Sequence, residues 1–369
     1  MERGRPTLTS TSQRLAPSAD TQFSSSPIEI DLVKNDIPIE FEKANTYEPA
    51  PPYGPTVAEL SQKIKHELHK AVVGQDQLVE LLITAILAGG HVLLEGVPGT
   101  AKTLSVRALS RIFSVSFSRV QFTPDLMPSD ILGTSIFDPR DQQFHLKKGP
   151  IFAGLILADE INRTPPKTQS ALLEAMEERR VTIDGITHDL PEPFLVCATQ
   201  NPIEYEGTYP LPEAQLDRFM LKVIVDYPEI QEEESILSRV QAGFRAQDLD
   251  TVDIQPVLVG ADLAHYKAEV ERVKVDVGVQ KYIVRIVRAT RENLHLTLGA
   301  SPRAAITLLM TAKAIAAIRS RDFVTPDDVK SIALPVLRHR LIIHPESEIE
   351  GFTADRIVES VLQSVAVPR

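Results

Sequence analysis

The chain has 369 residues, 43% of them hydrophobic, and a formal net charge of -11. At roughly 150 residues per domain this allows two or three domains with a sizeable core. The acidic balance disfavours wholesale binding to a phosphate backbone or an anionic lipid surface. The single cysteine, Cys197, excludes an intramolecular disulfide framework. The apolar runs fall short of the ~20 residues a membrane helix needs. No apolar h-region follows Met1, so a soluble, cytoplasmic protein is expected.

Residues 1–52 carry no helical or strand periodicity, and 7–27 are dense in Ser, Thr and Pro. Such a segment buries too little apolar area to offset its ordering entropy, so it reads as a disordered tail. A short partner-binding motif at 28–32 is its one candidate feature. Val57, Leu60, Ile64, Leu68 and Val72 then recur at helical spacing, and a second helix covers 75–88. The apolar run 91–94 meets a glycine-rich turn and reads as a buried strand, with a helix over 104–113 leaving that turn. Runs 155–158 and 194–198 are further buried strands, the second holding Cys197 as a core residue. A helix over 168–179 puts Leu172, Leu173 and Met176 on one face. Strands alternating with helices predict a parallel α/β sheet.

Two segments interrupt the alternation. Residues 135–152 read as a hairpin after a short helix, and 180–194 as a second hairpin turning at Asp184-Gly185. Beyond Pro228 the periodicity is helical over 232–243, 263–273, 279–294, 302–319 and 326–338. The expected organisation is a tail over 1–52, an α/β core over 53–228 and an all-α domain over 229–369.

The sequence Gly96-Val97-Pro98-Gly99-Thr100-Ala101-Lys102-Thr103 follows a predicted strand and opens a predicted helix, the context a phosphate-binding loop needs. Glycines 96 and 99 let the backbone N–H groups curl toward phosphate oxygens, and the helix N-terminus adds positive potential. Lys102 would reach the β- and γ-phosphates of ATP, and the Thr103 hydroxyl would ligate Mg2+. Ala101 stands where a last glycine is usual; it is tolerable there if the residue has helical dihedrals. The run 155–158 ends in Asp159-Glu160. Adjacent carboxylates at the end of a buried strand call for a cation or a reaction to offset their desolvation. Asp159 would hold the metal, and Glu160 would orient and deprotonate the attacking water. Asn201, at the tip of another strand, is placed to position that water or the γ-phosphate, although Asn-Pro is also turn chemistry. By spacing alone Arg218 reads as an ordinary partner of Asp217, and Arg303, opening a helix, as a residue able to reach back to the same nucleotide.

In order, these motifs resemble the AAA+ ATPases, and within them the MoxR family, over about residues 57–340. Val73-Gly74-Gln75, the loop 96–103 with its Ala101, and Ala158-Asp159-Glu160-Ile161-Asn162-Arg163 carry the likeness. So do residues 122–130, 198–202 and 211–219. The resemblance implies that Asn201 is sensor 1, Arg218 the arginine finger and Arg303 sensor 2. It places Val72 and Val73 beside adenine, and Leu104 at the end of the nucleotide-binding stretch. The all-α domain becomes a lid, and the two hairpins become inserts facing a ring's pore or a partner. It further implies a homo-hexamer that remodels protein clients, often beside a von Willebrand factor A domain protein. A nucleic-acid motor, carried by Arg140, Lys147 and Lys148 on the first insert, is the main alternative. A magnesium-chelatase-like subunit and a non-catalytic nucleotide-switched scaffold are the others.

Overall fold

Capping and turn residues set where the elements begin and end in the computed structural model, which describes residues 55–97, 99–201, 208–259 and 262–368. The expected tail, its 28–32 motif, Pro98 and Pro202 lie outside those residues. Helix α1 (Val57–His69) starts at a capping box. Thr56 Oγ1 accepts from the Glu59 N–H, and the Glu59 carboxylate accepts from the Thr56 N–H. Helix α2 (Asp76–Ala88) ends at Gly89, whose φ of 72° is the left-handed geometry that terminates a helix. Then come β1 (Val92–Glu95), α3 (Lys102–Ile112), β2 (Phe117–Gln121) and α4 (Pro128–Leu132). The first hairpin is β3 (Gly133–Asp138) with β4 (Gln143–Lys148). After β5 (Leu155–Asp159) and α5 (Pro166–Glu178) comes the second, β6 (Arg180–Ile183) with β7 (Ile186–Asp189), then β8 (Leu195–Gln200), α6 (Glu213–Leu216) and β9 (Leu221–Ile224).

Strands β2-β5-β8-β1-β9, in that order, form one parallel sheet. Alternate residues face opposite sides, as the strand period of two requires. Val92, Leu94, Leu157, Cys197 and Val223 join the cluster under α1, α2 and α3, whereas Leu93, Ile156, Ala158, Val196 and Ala198 pack toward α5 and the second hairpin. Cys197 is fully buried, and burial pushes its thiol up to about 12. The three strands legible in the sequence are the three inner ones. The two that were not, β2 and β9, are the sheet edges, where the exposed Arg119 and the half-buried Ser118 and Lys222 break the apolar run.

The helical region comprises α7 (Ile230–Gln241), α8 (Leu263–Glu271), α9 (Val277–Arg291), α10 (Pro302–Ile318), α11 (Pro326–Leu337), α12 (Pro345–Ile349) and α13 (Ala354–Ser364). It is not purely helical: β10 (Leu296–Leu298) pairs antiparallel with β11 (Ile342–Ile343). Helix α10 packs on α1, α2 and α8, so its buried residues share one hydrophobic cluster with the helices preceding the sheet. Among the described residues no helix is long and apolar enough to cross a membrane.

Candidate nucleotide site

Parallel strands place their carboxyl ends at one edge of the sheet, where ligands of open α/β folds bind. The loop after β1, the acids ending β5 and Asn201 after β8 all reach that edge. They line a cleft of about 500 Å³. Its walls include Val72, Val73, Gly96, Gly99, Thr100, Ala101, Lys102, Thr103, Leu104, Asp159, Glu160 and Asn201. That volume and mix of apolar and polar walls suit a nucleotide. Val97 contributes its carbonyl, which accepts from Thr100 Oγ1 at 3.0 Å and from Lys102 Nζ at 2.9 Å.

Each glycine of the loop has its own reason. At Gly96 a Cβ would lie 2.3 Å from the Val225 carbonyl oxygen, so the residue is fixed by the close approach of the chain leaving β9. At Gly99 there is open space, and the φ of 87° is what favours glycine. Ala101 does not have the helical dihedrals expected of it. Its φ of 61° and ψ of 14° are left-handed, a geometry that costs a non-glycine residue about 1 kcal/mol or more. Its carbonyl nonetheless starts α3, accepting from the Ser105 N–H and Oγ.

Lys102 Nζ also donates to the Gly96 carbonyl. Burial holds its ammonium below the usual lysine value, opposed by the nearby carboxylates of Asp159, Glu160 and Glu95. Thr199 ties the two acids together, with its Oγ1 donating to Asp159 Oδ1 at 2.6 Å and accepting from the Glu160 N–H at 2.8 Å. Arg119 Nη2 donates to Asp159 Oδ2 at 2.6 Å, so that carboxylate already accepts a cation. Glu160, at a left-handed φ of 58°, accepts on Oε2 from Gln121 Nε2 at 2.7 Å and Arg163 Nη1 at 3.0 Å. Strain of this kind gathers at functional positions.

Sequence reasoning missed Arg119, Gln121, Thr199, Gln200 and the α7 side of the cleft: Pro228, Ile236, Arg239, Val240, Phe244 and Ala246. Arg119 and Gln121 lie on the unrecognised edge strand β2. The signal for α7 was available, since it is an amphipathic helix with no buried residue of its own, and its apolar side helps wall the cleft.

Arg218 and Arg303 are placed elsewhere. Among the described residues neither lines the cleft; Arg218 Nε lies 3.0 Å from Glu177 Oε2, and Arg303 Nη2 donates to Glu177 Oε1 at 2.7 Å. The hydrogen bond from Arg303, with Arg218 alongside, holds the Glu177 carboxyl below its usual range. The topology explains the separation. Arg218 precedes the amino end of β9, which runs parallel to β1, so it lies at the sheet edge opposite the loop. Glu177 sits in the last turn of α5, about 16 Å along the axis from Pro166. The expectation that Arg303 reaches back to its own nucleotide is therefore not met in this structure.

Residues 91–221 match the model of the ATPase family associated with various cellular activities (AAA), and 288–361 match the AAA lid domain. Fold and cleft thus define an AAA ATPase core with its lid. The uncharacterized protein YeaC of Bacillus subtilis is 47% identical over 309 residues, 84% of this chain and 95% of that protein. Chaperone MoxR1 of Mycobacterium tuberculosis is 44% identical over 312 residues, 82% of this chain and 81% of that protein. A crystal structure assigned as an ATPase of Cytophaga hutchinsonii superposes with a TM-score of 0.78 at 43% identity, covering 85% of this chain and 96% of that one. The chain belongs to the MoxR family of AAA+ ATPases.

Proposed function

We propose that the chain hydrolyses Mg-ATP in a homo-oligomeric ring, taken as hexameric, and uses the turnover to remodel protein partners, a von Willebrand factor A domain protein among them. The observation that carries this reading is the division of the catalytic set. Lys102, Thr103, Asp159, Glu160 and Asn201 share one cleft, while Arg218 and Arg303 sit together on Glu177 at the opposite sheet edge. A site whose arginines are on the far side of its own subunit is completed by a neighbour in a head-to-tail assembly. Arg303 then joins Arg218 in serving the adjacent subunit's nucleotide. The division into a core over 53–228 and a lid over 229–369 belongs to the same proposal.

Lys102 leaves the carbonyls of Gly96 and Val97 for the β- and γ-phosphates, exchanging neutral acceptors for charged ones. Glu160 accepts the proton of the attacking water, and Asn201 orients that water against the γ-phosphate. Gln121 and Arg163 hold Glu160 until then. Thr103 and Asp159 offer the hard oxygen donors that Mg2+ prefers, and the ion would neutralise charge on the β- and γ-oxygens. The hairpins supply client contacts. The Phe137 and Phe144 rings meet at a tilt of 57° with centroids 5.3 Å apart, yet are 48% and 72% exposed, and Ile186 on the second hairpin is 62% exposed. Asp138 and Asp141 flank Arg140 at the first hairpin's tip, which supports a protein client over a nucleic-acid backbone.

The test is Glu160→Gln. It keeps the shape of the side chain and its hydrogen bonds while removing the base, so ATP binding is retained and turnover is lost. Normal turnover in that variant would overturn the assignment.

A further inference from the structure

Two consecutive side chains after α11 are buried although both are polar: His339 is 6% exposed and Arg340 7%. A buried guanidinium costs several kcal/mol unless its donors are satisfied. Those of Arg340 converge on one short stretch of the core. Nε donates to Asp217 Oδ1 at 2.6 Å, and Nη2 to the carbonyls of Phe219 at 2.7 Å and Asp217 at 3.3 Å. Nη1 donates to the Met220 carbonyl at 3.2 Å and to that of Val336. His339 is kept neutral by burial, and its Nε2 faces the Phe219 carbonyl at 3.0 Å, so that nitrogen carries the proton. The other oxygen of Asp217 accepts from Ser301 Oγ at 3.1 Å, two residues before Arg303. The backbone on both sides of Arg218 is therefore gripped from the helical region. The Arg218 side chain points out of the grip, toward Glu177.

We propose that Arg340, assisted by Ser301 and His339, is the positioning residue of the arginine finger: it fixes the segment 217–220 so that Arg218 meets the neighbouring subunit's nucleotide, and it carries lid movement to that finger. Because Arg340 follows α11 and Ser301 precedes α10 in the helical region, while Arg218 belongs to the core, a turn of one displaces the other. The proposal rests on the reading of Arg218 as a residue acting across a subunit interface.

Mixed assemblies of the full-length chain test it. Arg340→Met should lower turnover at saturating ATP about a hundredfold, as expected for a catalytic group displaced by an ångström. Affinity for a fluorescent ATP analogue should hold within about twofold, because the variant's own cleft is untouched. Arg340→Lys and Ser301→Ala keep the buried charge paired with Asp217, and they should give smaller losses in the same parameter. Glu160→Gln subunits are inactive but carry intact fingers. Mixed one to one with Arg340→Met, they should restore activity at about a quarter of the interfaces of a randomly assembled ring. Mixing Glu160→Gln with Arg218→Ala reports on the underlying reading. If that pair recovers and the Arg340→Met pair does not, Arg340 is a structural residue of its own subunit and the proposal falls. If neither pair recovers, the finger does not act across subunits and both readings fall. Wild-type turnover in the Arg340 variants would also overturn the proposal.

Discussion

His91 makes the stability of the sheet depend on pH by an amount that can be worked from its surroundings. Its ring lies just before β1, buried between β8 and α5. Nδ1 accepts from the Val196 N–H at 3.0 Å, and Nε2 faces the Met176 carbonyl at 3.1 Å. Burial lowers its pKa from 6.5 to about 4. A group that binds its proton less readily when folded destabilises the fold as pH falls. Above pH ~6.5 neither state is protonated, between ~6.5 and ~4 only the unfolded state is, and below ~4 both are. Stability is therefore lost on descending that window, by at most about 1.4 kcal/mol per pH unit and about 3 kcal/mol across it. Set against a typical 5–15 kcal/mol, that is a large fraction. Urea midpoints of wild type and His91→Gln at pH 7, 6, 5 and 4.5 measure it. The variant should be less stable at pH 7 and should fall less steeply. His339, lowered well below its usual value by burial, contributes in the same direction to both proteins and cancels in the comparison. Parallel pH profiles for the two proteins would refute the reasoning.

Gly96→Ala drives a methyl to 2.3 Å from the Val225 carbonyl oxygen, so a loss of about 1–3 kcal/mol in urea unfolding, together with weaker ATP binding, is expected. Asp328 is fully buried and accepts from Arg319, Arg321 and Thr325 at the start of α11. Removing it in Asp328→Ala takes away the carboxylate that both guanidiniums share, leaving Arg321 with Thr325 Oγ1 and Arg319 with Glu80 at 3.7 Å, and should cost about 3 kcal/mol by the same measurement. Cys197 should resist iodoacetamide in the folded protein at pH 8 and react on unfolding, which mass spectrometry of the alkylated chain reads directly.

Much of the phosphate-binding half of the cleft was legible because each part is local. A strand, a glycine-rich turn, a lysine and an apolar run ending in two acids are all signals within a few residues. What was not legible depends on topology. Strands β2 and β9 are edges, so solvent-facing polar residues hid them, and with β2 went Arg119 and Gln121. Ile236, Arg239 and Val240 belong to α7, whose apolar side walls the nucleotide site instead of a core, which periodicity does not distinguish; Pro228, Phe244 and Ala246 flank that helix. The sequence makes Ala101 tolerable only with helical dihedrals, whereas the chain turns into α3 through a left-handed residue there, a backbone geometry that an alanine does not announce. Arg303 shows the limit most clearly. Its place at a helix start was visible in the sequence, but its contact with Glu177 depends on where the tertiary fold sets the start of α10 relative to the end of α5.

The central claim is that each ATP is hydrolysed at a site two subunits share. Turnover per subunit, measured at saturating ATP from dilute monomer up to the concentration at which mass measurement shows a ring, tests it most directly. Turnover per subunit should rise from near zero to a plateau as assembly completes. A turnover per subunit that stays constant from monomer to ring would contradict it.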